Sequence, residues 1–142
     1  MLNDTLSTIQ NIILNKASKK SVPIEEIILF GSRARGDYTQ ESDWDILIVT
    51  TVPLKKHLFW DLYVEIKREL TKNKIPADII IIPKSTFEKK KRIVGNIAYY
   101  ASREGRILWK RSAKRLKDAK EAVMIAEKVK EEVIKKLKLP QE

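Results

Sequence analysis

Three short apolar runs, each closed by a turn or a break in polarity, limit what this chain can fold into. They are IEEIILFG (24–31), WDILIVT (44–50) and ADIIIIP (77–83). Each is too short for a buried helix, and the crowding of Ile and Val fits the pleated surface of a strand. Gly31 stops the first run, and Pro83, which cannot donate to a ladder, stops the third. Helical periodicity fills the intervals. Leu2, Leu6, Ile9 and Ile13 place an amphipathic helix over 2–18. Leu54, Leu58, Leu62, Ile66 and Leu70 carry a second apolar stripe to about residue 72, with Pro53 expected in that helix's first turn. Residues 85–103 read as one or two helices, RILW (106–109) as a short edge strand, and 111–138 as a long helix with Ala122, Ala126, Val129, Val133 and Leu137 on one side. The order α-β-β-α-β-α-(β)-α describes a small α/β or α+β domain, a mixed sheet of three to four strands flanked by helices. About a dozen polar residues join the first two strands, too few for a crossover helix, so an antiparallel or offset pairing is expected. The expected division is a core over 1–110 and a basic amphipathic helix in 111–142, either part of the same domain or a partner-docking extension.

The strands carry charges where none should lie without a partner. Side chains two apart on a strand share a face, so Asp43 and Asp45 project together at the start of the second strand. Two carboxylates that close repel and raise each other's pKa unless a cation intervenes. Such hard oxygen donors suit Mg²⁺ or Mn²⁺, with water and substrate phosphate completing the shell. Asp78 opens the third strand in the same way. With the second and third strands as neighbours, three carboxylates make a two-metal site for in-line phosphoryl or nucleotidyl displacement. An Asp-x-Asp by itself is also common in loops, bonded to nearby backbone N–H groups.

The preceding turn favours the chemical reading. Gly31 lets backbone approach a ligand, and Ser32 offers a hydroxyl and exposed N–H groups to a phosphate. Arg33 and Arg35 follow within four residues and suit phosphate oxygens. The pattern is not a Walker loop, since no GxxxxGK[ST] occurs.

Gly31-Ser32, ten residues, then Asp43-x-Asp45 spells GS-x10-DxD, which is similar to the signature of the DNA polymerase beta-like nucleotidyltransferase superfamily. The fuller string FGSRARGDYTQESDWDILIV resembles the minimal nucleotidyltransferase (MNT) branch, as do ADIIII and the tail NIAYYASREGRILWKR. The likeness spans roughly residues 20–110. It implies a polymerase beta-like fold and a set of roles. Gly31 and Ser32 would hold the β- and γ-phosphates of a nucleoside triphosphate, most simply ATP, with Arg33 and Arg35 neutralising it. Asp43 and Asp45 would bind two Mg²⁺ ions; Asp78 would bind the catalytic one and help deprotonate the incoming hydroxyl. Many relatives carry a further domain for the acceptor, whereas here about 30 residues follow the core, so a partner is expected to supply it. MNT proteins are typically encoded beside a HEPN-domain protein, a helical RNase toxin, and several neutralise it by transferring AMP to a tyrosine. The resemblance therefore implies a protein adenylyltransferase acting as a type VII-like antitoxin. Two alternatives stay open: a non-catalytic module of the same fold that blocks its partner sterically, and a basic nucleic-acid-binding protein.

Charge placement bears on the partner. Residues 1–83 hold 11 basic and 11 acidic residues, whereas 84–92 and 111–138 carry +4 and +5 of the net +10. Nucleic acid, nucleotide or an acidic protein surface would be drawn to that second half, and a solvated helix face is the bland reading. Helix 111–138 is a candidate docking element for the toxin, for the chain's own sheet or for a second copy. His57 reads as a surface residue with no catalytic task. Trp44, whose ring should face away from the aspartates, reads as core, and so do Tyr99, Tyr100 and Trp109. Asp37 is expected to steady the loop by pairing with a nearby arginine. No run approaches the roughly 18 to 20 apolar residues of a membrane span. The polar start lacks signal-peptide features and there is no cysteine, so a cytoplasmic location is expected.

Overall fold

A computed structural model describes residues 2–111. The chain divides into two units, Met1–Lys110 and Arg111–Glu142, and every described helix and strand belongs to the first. The helix expected over 111–138 lies outside the described residues.

In chain order the elements are α1 (Leu2–Lys19), β1 (Ile24–Phe30), α2 (Ser32–Arg35), β2 (Trp44–Thr50), α3 (Lys56–Lys72), β3 (Ala77–Pro83), α4 (Lys84–Lys90), α5 (Ile97–Glu104) and β4 (Arg106–Lys110). The strands form one mixed sheet of order β3-β2-β1-β4. β1 pairs antiparallel with both β2 and β4, while β2 and β3 run parallel. The antiparallel pairing expected of the first two strands is present, α3 is the crossover that a parallel pair requires, and RILWK is the expected edge strand.

Period-two alternation sorts the strand residues onto two faces. One face holds Ile27, Leu29, Trp44, Ile46, Ile48, Ile79 and Ile81 and is covered by Leu6, Ile9 and Ile13 of α1 and Leu62, Ile66 and Leu70 of α3. The other holds Ile28, Leu47 and Val49, flanked by Phe30, Ile80 and Ile82, and is covered by Phe87 of α4 and Ala98 and Ala101 of α5. β2 is buried on both faces, hence its almost unbroken apolar sequence. Ile24 joins Ile27 on the α1–α3 face because a register shift between Ile24 and Glu26 breaks the alternation.

α1 and α3 end alike. Val22 N–H donates to the Ala17 carbonyl and Ile75 N–H to the Leu70 carbonyl, both at 2.9 Å. Ser21 (φ 56°) and Lys74 (φ 59°) take the left-handed position just before. These are Schellman turns, each followed by a buried apolar residue, Val22 or Ile75. Pro53 is not in the first turn of α3: the helix starts at Lys56, and Lys55 is still extended at ψ 149°. Leu54 packs against the core ahead of the helix, so this segment is held as a strap and its proline is spent there.

Candidate active site

Asp45 lies directly across from Asp78 in the β2–β3 register and from Phe30 in the β1–β2 register. By parity its side chain is on the α4–α5 face with Leu47 and Val49, and that of Asp78 with Ile80 and Ile82. The two carboxyl groups are near enough for the charge of Asp78 to act on Asp45. Burial raises the pKa of Asp45, and the charges of Asp78 and then Asp43 raise it further, while Arg35 pulls it down. Asp43 sits one residue before β2, exposed.

Gly31 closes the site from β1. Its φ of 73° and ψ of −159° fall in a region that essentially only glycine occupies. A Cβ there would overlap Asp45 Oδ2 and stand 3.0 Å from its Cγ. The turn therefore lays bare backbone against the carboxylate. Ser32 then opens α2, whose Ala34 and Arg35 N–H groups donate back to the Gly31 carbonyl. Arg35 is exposed and bridges Asp37 at 3.4 Å and Glu104 at 3.7 Å, giving Asp37 the arginine partner expected from sequence.

The two arginines part company. Arg33 lies on the other side of the sheet, its guanidinium 4.2 Å from the Trp44 ring centroid and 4.7 Å from that of Tyr38. Its Nε and Nη2 donate to the Ser42 carbonyl at 3.1 and 3.0 Å, and Nη2 also donates to the Gln40 carbonyl at 3.1 Å. The Nε–Nη2 edge of its guanidinium is thus turned to the loop that carries Asp43. Trp44 is 5% exposed, within the α1–α3 cluster. The structure thus brings together Gly31, Ser32, Arg35, Asp45 and Asp78, keeps Asp43 at their edge, and sets Arg33 behind them. His57 is on the surface.

Among the described residues, no three acidic or histidine side chains converge closely enough to enclose a metal ion by themselves. The donor set still fits a hard divalent cation: two facing carboxylates that repel each other, with a third close by. Mg²⁺ is ordinarily held by one or two carboxylates, with water and substrate phosphates supplying the rest.

A profile of the nucleotidyltransferase domain matches residues 11–104. The chain belongs to that family. A protein of Methanocaldococcus jannaschii named as a protein adenylyltransferase is 39% identical to this nucleotidyltransferase over 93 residues, 65% of this chain and 85% of the relative. Among solved structures, a protein of Sulfolobus solfataricus named as a nucleotidyltransferase is similar at 26% identity and TM-score 0.49, covering 78% of this chain and 86% of that one. A toxin–antitoxin structure with AMP-PNP is similar at 18% identity and TM-score 0.48, covering 89% and 96%. The matched span of the family profile takes in every carboxylate and glycine of the site just described.

Beside the Gly31 turn of this nucleotidyltransferase, Ile97 and Tyr100 of α5 line a cavity. Tyr100 was expected in the core, yet it is 43% exposed and Ile97 45% exposed. The buried side of α5 is made of Ala98 and Ala101 instead. Gly105 lies so close to the sheet that a Cβ there would meet Ile28 Cγ2 at 2.5 Å and overlap the Ala101 carbonyl. Small residues on one side and bulky ones three apart on the other were the available signal. No helix among the described residues is long and apolar enough to cross a membrane.

Proposed function

We propose that this nucleotidyltransferase transfers AMP from ATP to a hydroxyl on a protein partner, a tyrosine of a HEPN-type toxin, and so acts as its antitoxin in the cytoplasm. The observation that carries the chemistry is the in-register pair Asp45 and Asp78 with Gly31 packed against Asp45. The MNT-like motif and the relative named as a protein adenylyltransferase support the protein acceptor. In this reading Asp43 and Asp45 would hold the Mg²⁺ ions (or Mn²⁺ in their place), two in number, with Asp78 as a further ligand. A divalent cation bound there neutralises the facing carboxylates and draws charge from the phosphate oxygens. The Gly31–Ser32 turn offers backbone N–H groups and the Ser32 hydroxyl to the triphosphate, and Arg35 exchanges Asp37 and Glu104 for phosphate oxygens. Asp78 takes the proton of the acceptor hydroxyl as its oxygen attacks the α-phosphorus and pyrophosphate leaves. Positioning and charge neutralisation carry most of the rate in such transfers. Residues 111–142, with their basic helical pattern, are assigned to partner docking.

The test is incubation with α-labelled ATP, Mg²⁺ and the protein encoded next to it. Label should pass to the partner, and Asp45→Asn should abolish transfer. Transfer that survives in Asp45→Asn would refute the carboxylate mechanism. A tight complex without transfer would favour steric inhibition.

A further inference from the structure

A cavity of about 400 Å³ opens beside Gly31, lined by Phe30, Gly31, Arg35, Ile97, Tyr100 and Glu104. Its size is in the range of small-molecule sites, roughly 300–1,000 Å³. Phe30 pairs with Asp45, so the cavity lies on the α4–α5 face of the sheet, the face that carries the site carboxylates. One end holds the glycine turn and a guanidinium; the other is apolar. The apolar end is also set in place. The Tyr100 ring meets the Tyr99 ring edge-on at 5.4 Å, and the Arg103 guanidinium lies 5.0 Å from the Tyr99 centroid.

We propose that this groove is the nucleoside subsite, in which the base of the triphosphate packs against Tyr100 and Ile97. The inference rests on the function proposed above, with Gly31 and Arg35 as phosphate grips. An aromatic ring and a branched aliphatic side chain suit the flat face of a base, and the groove is continuous with the phosphate end, so one ligand can span both. The strand order sets the acceptor elsewhere. Asp78 is on edge strand β3, across Asp45 from β1, and the attacking hydroxyl must enter opposite the leaving pyrophosphate. That places it on the β3 side, away from the groove. The exposed Ile93 and Val94 near α5 make a protein contact the competing use of Tyr100.

Calorimetric titration of the full chain with ATP and with inorganic tripolyphosphate, both in Mg²⁺, separates these. Stacking of a base on an aromatic ring is sequence-tolerant and its loss costs ~1–3 kcal/mol, about fivefold to 150-fold in affinity. Tyr100→Ala should weaken ATP by about tenfold or more and leave tripolyphosphate within about twofold; Tyr100→Phe should keep wild-type affinity for both. Equal weakening of ATP and tripolyphosphate, or unchanged ATP affinity with a raised KM for the protein acceptor, would overturn the subsite. A wild-type protein that binds neither ligand would instead overturn the proposed function itself, and the subsite with it.

Discussion

At the scale of single residues, two arginines two positions apart have opposite surroundings. Arg33 is clamped between Tyr38 and Trp44 with its fork on the Ser42 and Gln40 carbonyls, so it fixes the backbone immediately before Asp43. Arg33→Lys keeps the charge but loses the planar fork. It should lower kcat about tenfold with little change in KM for ATP, whereas Arg35→Ala should raise that KM about tenfold or more, since bonds to charged groups contribute ~1.5–3 kcal/mol. Steady-state kinetics on the two variants separates positioning from binding. Gly31→Ala meets both a forbidden backbone region and the Asp45 carboxylate. It should cost ~1–3 kcal/mol of stability from backbone strain alone, read by urea unfolding, together with most of the activity. Asp45 gives a pH signature. Its folded pKa is raised by burial and by Asp78 and Asp43, so the folded state binds its proton more tightly than the unfolded chain. Stability of the metal-free protein therefore falls as pH rises from the ordinary carboxylate range through the raised value, then levels. Glu26, raised by burial, adds a fall of the same sign. Melting temperature against pH should show a smaller fall in Asp45→Asn, and Mg²⁺ should stabilise the wild type only above that window.

At the scale of elements, α1 and α3 each end on a non-glycine residue in the left-handed region. Lys74 is exposed and its backbone strain serves only the turn. Lys74→Gly should raise stability by about 0.5–1 kcal/mol, measured as a shift in thermal midpoint with unchanged activity. α5 is the opposite case. Ala98 and Ala101 let it lie close on β1 and β2, and Ala101→Leu would overfill that contact by ~1–3 kcal/mol. The periodicities of α1 and α3 and the three strands were readable because spacings of 3.6 and 2 are local properties of the chain. A helix at α5 was readable too, but its buried face was not, because Ile97 and Tyr100 mark the outer side and its alanines the inner one, the reverse of the usual amphipathic rule.

At the scale of the whole molecule, the parallel alignment of β2 and β3 puts Asp45 and Asp78 side by side at the same end of neighbouring strands, and β1 brings Gly31 to that end from the other side. The sequence by itself determined the strands, the glycine–serine turn, the carboxylates two apart and, through their spacing, the nucleotidyltransferase family. Each is a matter of neighbours within a few residues or of a strict interval. Only the tertiary structure decided which carboxylates face each other, which arginine looks into the site and which wall of α5 is open beside it. Those outcomes depend on strand register and on which face of the sheet each helix covers. Both are set by the joint packing of distant apolar residues, for which no single stretch of chain carries the information.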